Sequence, residues 1–276
     1  MPARFDAHMH VYGGRPQVAA PFTVPNAGLE DYRRVMAALD ITRVLVVQSM
    51  LYGTDNAVML DAVAQLGPET ARGVAVITPD ASEALCDDLA ASGVVGLRAF
   101  LLKGGVLNWD DLPRLAFRAA ERDWQLHLQC DGAELSGRLG LLNALPCRLV
   151  IDHVGKFLTP VLPRDPAFQA LCALVGNGRT WVKISGLYET SRIGAPGYDD
   201  VAALARQLIG LAPDRVLWAT NWPHPNHMGP ADDAALTDVA ERLAPDAASR
   251  RALMHDNAAA LCGFPPALLP DDEVCE

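Results

Sequence analysis

Four groups of residues able to move protons or bind an anion are spread through the 276-residue chain: Asp6-Ala7-His8-Met9-His10, Gly96-Leu97-Arg98, Asp152-His153 and Thr220-Asn221-Trp222-Pro223-His224. Each stands where a short apolar run ends. In a barrel of repeated strand and helix units, strand ends far apart in sequence meet at one face, where catalytic groups gather. Histidine supplies a proton donor or acceptor near neutral pH. Arginine offers a planar fork for a carboxylate.

His8 and His10 are two apart on a strand, so both side chains address one face. They can serve one substrate group or one metal. His153 follows Leu149-Val150-Ile151 and is expected at the same mouth. Arg98 closes another apolar strand, where a buried cation requires an anionic partner, either structural or a substrate carboxylate. Asn221 is the neutral member of the set. An amide orients a group through hydrogen bonds and has no usable basicity. Gln48, Tyr52, Lys103, Tyr188 and His224 are further candidates for the pocket wall. His127 shares a strand face with Gln129 and is assigned one layer deeper, to the core, while His227 and His255 are read as structural. Lys183 is left out of the site, because it falls one residue out of phase with Ile184 and Gly186.

Positioning these groups takes eight strands. β-rich runs occur at Arg4–Val11, Arg43–Ser49, Gly73–Thr78, Gly93–Phe100, Gln125–Cys130, Arg148–Gly155, Thr180–Gly186 and Arg215–Pro223. Amphipathic segments alternate with them, near Leu29–Leu39, Asn56–Leu66, Ser82–Ala91, Asp111–Arg122, Glu134–Leu145, Asp165–Leu174, Asp199–Leu211 and Asp232–Leu243. A further helix is expected through Ala247–Leu261. This alternation predicts an α/β fold, a single (β/α)8 TIM barrel over residues 1–270, with a mobile acidic tail at 271–276. Long loops after the first, fourth and seventh strands, Tyr12–Gly28, Leu102–Trp109 and Leu187–Tyr198, are placed on the catalytic face.

Half of the residues are apolar and one fifth charged, enough to bury a large core, and the formal charge is −10. No cluster of Lys and Arg suited to phosphate contacts is present, so a nucleic-acid partner is excluded. Six cysteines without a C-x-x-C pair read as reduced thiols of a cytoplasmic protein. The first strand begins within a few residues of Met1, leaving no space for a signal peptide, and no apolar run approaches membrane length.

The combination of Asp6–His10, Val46-Val47-Gln48 with Tyr52-Gly53-Thr54-Asp55-Asn56, Gly96-Leu97-Arg98, Ile151-Asp152-His153-Val154-Gly155, Val182-Lys183-Ile184-Ser185-Gly186 and Thr220-Asn221-Trp222-Pro223-His224-Pro225 resembles the amidohydrolase superfamily. The resemblance is to its branch of pyrone dicarboxylate lactonases, sugar lactonases and galactarolactone isomerases, and it runs from the first strand to the eighth. It implies a barrel mouth that binds a lactone, with His8, His10 and His153 around the reacting carbonyl. In metal-dependent members the eighth-strand position carries an aspartate that activates water, and two-metal members add a modified lysine on the fourth strand. Here those positions hold Asn221 and Arg98, against a two-metal site.

The expected function is therefore hydrolysis of the ester of a small anionic lactone from sugar-acid or aromatic-acid breakdown, with His8, His10, His153 and Asn221 catalytic and Arg98 on a carboxylate. No metal is expected; the alternative is a single zinc on His8, His10 and His153. Isomerisation through a substrate hydroxyl, decarboxylation and a non-catalytic acid-binding barrel are the competing readings. Carbon dioxide release would mark the decarboxylase, and binding without turnover the last.

Overall fold

Eight parallel strands pair in chain order, β1 to β8, each joined to the next through a helical crossover. The computed structural model describes residues 3–14, 26–225 and 231–265. The strands are β1 Arg4–Met9, β2 Ile41–Val47, β3 Ala71–Ala75, β4 Val94–Phe100, β5 Gln125–Gln129, β6 Arg148–Ile151, β7 Thr180–Ile184 and β8 Val216–Trp218. Around them lie α1 Leu29–Ala38, α2 Ala57–Leu66, α3 Glu83–Ala91, α4 Leu112–Glu121, α5 Leu135–Ala144, α6 Pro166–Gly176, α7 Asp199–Leu211 and α8 Asp233–Leu243. The expected barrel is the observed one. His227 and residues 271–276 lie outside the described residues, as does most of the loop after β1.

The helices form where apolar residues recur at helical spacing and a polar side chain satisfies the first turn. In α4, Leu112, Leu115, Ala116 and Ala119 are all fully buried against the sheet. Ser82 caps α3 by accepting from the Leu85 amide at 3.2 Å, and Asp232 caps α8 by accepting from that of Ala235 at 2.9 Å. The last helical stretch runs as α9 Ala247–Arg251, a π-helical turn at Ala252–Asp256 and α10 Asn257–Leu261. It closes the N-terminal end of the barrel. Phe264 meets Phe5 edge-on at 5.5 Å, Gln125 donates to the Leu261 carbonyl at 2.9 Å, and Asn257 donates to that of Val216 at 2.8 Å.

The seam between β8 and β1 is closed by side-chain and loop contacts, and Asp6 is its centre. Its Oδ1 accepts from the backbone amides of His8 and Thr220, both at 3.0 Å; its Oδ2 accepts from the Tyr32 hydroxyl at 2.8 Å and the Thr220 hydroxyl at 2.5 Å. Backbone bonds from Asn221 to the His8 carbonyl, 2.9 Å, and from His10 to that of Trp222, 2.8 Å, continue the seam. A bulge in β1 between Asp6 and Met9 inserts an extra residue opposite β2. It re-aims the side chains, so that Asp6 reaches Tyr32 on α1 while His8 reaches across the interior to β7.

Several strands are shorter than the apolar runs suggest. β6 ends at Ile151 because His153, Val154, Gly155 and Lys156 all take positive φ, between 44° and 84°. β8 ends at Trp218 ahead of Asn221, whose φ is 59°. Left-handed backbone cannot continue a ladder, and a β-branched residue such as Val154 adopts it only under constraint from its surroundings. These positions cluster at the carboxyl ends of the strands.

Candidate active site

At those strand ends opens a cavity of about 240 Å³ lined by His10, Tyr12, Arg98, Lys103, Gln129, His153, Lys156, Glu189 and Asn221 together with Met50, Phe100, Leu102 and Leu158. Its size suits a small molecule rather than a drug-sized ligand. Three cations and one carboxylate on its wall make it a basic patch within an acidic protein, which favours an anionic guest.

The floor is a wholly buried charge cluster. Lys183 and Asp152 have no exposed side-chain surface and pair at 3.0 Å, with the Arg98 Nε 3.8 Å from the other carboxylate oxygen. Burial works to raise the Asp152 carboxyl, but the Lys183 ammonium holds it well below the ordinary range. Lys183 also lies 2.9 Å from His8 Nδ1. His8 Nε2 faces His10 Nε2 at 3.2 Å, and His10 Nδ1 meets the Val47 carbonyl at 2.8 Å.

Burial keeps these imidazoles neutral. It holds His8 well below 6.5, aided by the neighbouring Lys183 charge, and lowers His10 to about 3, with Arg98 adding to the effect. His153 is lowered to about 4, again chiefly by burial, and its Nδ1 sits 2.9 Å from the Ser185 hydroxyl. The turn after β7 depends on Gly186. At its φ of 59°, a Cβ would stand 3.1 Å from a Glu189 carboxylate oxygen and 3.2 Å from His153 Nδ1.

Arg98 is already held by protein acceptors. One terminal nitrogen donates to the Gln48 carbonyl at 2.7 Å and the other to Gln129 Oε1 at 2.5 Å. Each nitrogen keeps a second N–H for a guest at the cavity wall. Gln129 stands on β5 as the acceptor for Arg98, while His127 is fully buried below it.

The remaining candidates fall into two groups. Lys103 and Asn221 line the cavity directly, as do His10, His153 and Arg98. His8, Gln48, Tyr52, Tyr188 and His224 stand behind the wall. Gln48 donates to the Gly53 and Asp55 carbonyls, at 3.2 and 2.7 Å, and so holds the loop after β2. Tyr52 donates to the Gly13 carbonyl at 2.8 Å. Asn221 donates to the Tyr188 hydroxyl at 2.9 Å, which meets His224 Nδ1 at 2.9 Å, and His224 Nε2 pairs with Asp233 at 2.8 Å. This string of contacts fixes how the Asn221 amide is presented.

The family model described as amidohydrolase matches residues 5–264. The chain belongs to the amidohydrolase family. Among its relatives, an Agrobacterium fabrum D-galactarolactone isomerase is 38% identical over 268 residues, covering 95% of this chain and 91% of the relative. A Rhizobium radiobacter 4-sulfomuconolactone hydrolase is 32% identical over 271 residues, covering 94% and 89%. An apo crystal structure of an Agrobacterium tumefaciens protein superposes with a TM-score of 0.89 at 36% identity, covering 96% and 97%.

As an amidohydrolase, this chain is an enzyme built on the expected barrel, and the residues that sequence reasoning missed are those whose partners come from other strands. Lys183 points into the barrel beside His8. Lys156 and Glu189 pair at 2.6 Å on the cavity wall, and both side chains are nearly buried. Tyr12 and Ser49 also line the cavity, and their hydroxyls lie 3.4 Å apart. The position of Lys156, three residues after His153 and before an apolar Phe157, was the one local signal available.

Proposed function

We propose that this chain opens the ester of a small anionic lactone of sugar-acid or aromatic-acid breakdown, with release of the open acid by hydrolysis. The observation that carries the reading is the convergence of neutral His10 and His153 with Arg98, Lys103 and Lys156 around one small cavity. Arg98 and the lysines would hold the carboxylate of the guest. His10 would take one proton from the attacking water as the water oxygen bonds to the carbonyl carbon. Collapse of the tetrahedral adduct breaks the ring C–O bond, and the same proton passes to the departing oxygen. N–H groups of the site would stabilise the oxyanion between the two steps.

We also propose that no metal takes part. His8, Asp152 and His153 place their ligand atoms within 4.8 Å of one another, as a metal site would. Lys183, however, lies 3.0 Å from Asp152 and 2.9 Å from His8, so an internal cation already neutralises that carboxylate. A dication on His8 and His10 would gain no free anion and would meet the repulsion of Lys183 and Arg98. The buried, unpaired thiols Cys86, Cys130, Cys147, Cys172 and Cys262 fit the cytoplasm, and among the described residues no helix is long and apolar enough to cross a membrane.

Isomerisation is the second reading, and Asn221 favours it. The neutral amide cannot activate water, whereas a hydroxyl of the substrate is delivered by proximity and leaves only its proton for His10 to move. NMR of hydroxylated anionic lactones turned over in oxygen-18 water tests both. Hydrolysis is expected to give labelled open acid. An unlabelled lactone of different ring size would replace hydrolysis by isomerisation. Release of carbon dioxide, or binding without turnover across the panel, would overturn both.

A further inference from the structure

Lys183 has no exposed surface and no direct access to the cavity, yet it begins a chain of contacts that ends there. Its Nζ lies 3.0 Å from Asp152 Oδ1 and 2.9 Å from His8 Nδ1; His8 Nε2 lies 3.2 Å from His10 Nε2; His10 Nδ1 lies 2.8 Å from the Val47 carbonyl. The chemistry of the two ends fixes every proton between them. An ammonium only donates, so His8 Nδ1 must be a lone pair, and a neutral His8 then carries its proton on Nε2. A carbonyl only accepts, so His10 carries its proton on Nδ1 and turns a lone pair toward His8. The N–H of His8 and the lone pair of His10 therefore match across the 3.2 Å gap.

We propose that Lys183 is a positioning residue for the ring-opening chemistry: held by Asp152, it fixes His8 as the Nε2–H tautomer and so makes His8 the donor and His10 the acceptor. His10 lines the cavity, and with the His8 N–H behind it its Nε2 is kept as a lone pair, the form that can take a proton from a guest. Without the ammonium, Asp152 Oδ1, 3.5 Å from His8 Nδ1, becomes the acceptor for that nitrogen. His8 then moves its proton to Nδ1, and two lone pairs oppose each other behind the cavity wall. A side chain that merely fills space would have no such effect, because Lys183→Met preserves the volume.

The catalytic part rests on the proposed lactone chemistry, while the tautomer can be read without any substrate. Long-range proton–nitrogen NMR of the intact enzyme with labelled histidine, His8 being assigned from a His8→Asn variant, reads the state of each ring nitrogen. In wild type His8 is expected to have an unprotonated Nδ1 and a protonated Nε2. In Lys183→Met this order should reverse, and kcat should fall by about 100-fold with KM little changed, the scale of lost acid–base assistance. A wild-type His8 protonated on Nδ1 overturns the proposal, whether or not the variant folds. So does a folded Lys183→Met with the tautomer unchanged or with near-normal kcat. Absence of lactone turnover alongside the expected tautomers would remove the lactone reading and leave the positioning of His8 by Lys183 standing.

Discussion

Asp152→Asn is expected to lower the stability of the fold by about 3–5 kcal/mol, the cost of leaving a buried charge without its partner. The carboxylate sits between the Lys183 ammonium at 3.0 Å and the Arg98 guanidinium at 3.8 Å, and none of the three side chains is more than 3% exposed. Asparagine keeps the shape and removes the charge, so two cations would repel in a medium that screens them poorly. Urea unfolding followed by circular dichroism reads the effect as a lower midpoint at unchanged slope. Adding Lys183→Met to the variant should recover part of the loss, because the uncompensated ammonium is gone, and the two changes should therefore be strongly non-additive. A loss below about 1 kcal/mol, the scale of an exposed pair, would show that the cluster is not held together by its charges.

His10→Ala should leave the protein folded and lower kcat/KM for an anionic lactone by roughly 10²–10⁴-fold, the range that acid–base assistance supplies. The pH profile of the wild type tests the same assignment with a definite sign. A base works only when unprotonated, and burial holds His10 at about 3 and His153 at about 4. Both stay unprotonated as pH falls through the ordinary histidine value near 6.5. On the acid side kcat/KM should thus be flat from about pH 8 down to about pH 5. Stability behaves differently, since the unfolded chain takes up protons on these histidines below 6.5 while the folded chain does not. The fold therefore loses stability as pH drops from 6.5 toward 3, and activity should end by acid unfolding rather than by titration of the base. An activity midpoint near 6.5 in folded protein would contradict the assignment.

The barrel was legible because each strand is an apolar run bounded by turn residues and each crossover has a helical apolar stripe. The gathering of His10, His153, Arg98 and Asn221 at one mouth followed from their places at strand ends, since a closed parallel sheet leaves those ends nowhere else to point. What stayed hidden depends on partners distant in sequence. A lysine in a strand looks like an error of phase until the carboxylate that neutralises it is seen, and Asp152 lies just past the end of the neighbouring strand, β6. Asp6 reads as a reactive carboxylate beside two histidines, but the β1 bulge turns it away to bind Thr220 and Tyr32, a change of direction with no local sequence mark. The Lys156–Glu189 pair joins the turns after β6 and β7, and only the left-handed backbone there brings the two together. Overlong strands had the same origin, because His153 and Asn221 follow apolar runs smoothly and their positive φ is imposed by tertiary contacts.

Opening of an anionic lactone by histidines without metal stands or falls on one rate. Turnover of the best anionic lactone from the panel should be measured on protein dialysed against a strong chelator, with zinc content determined on the same sample. Well under one equivalent of zinc and an undiminished rate are expected, because Lys183 already supplies the cation of the cluster. A rate lost in chelator and restored by one equivalent of zinc would contradict it.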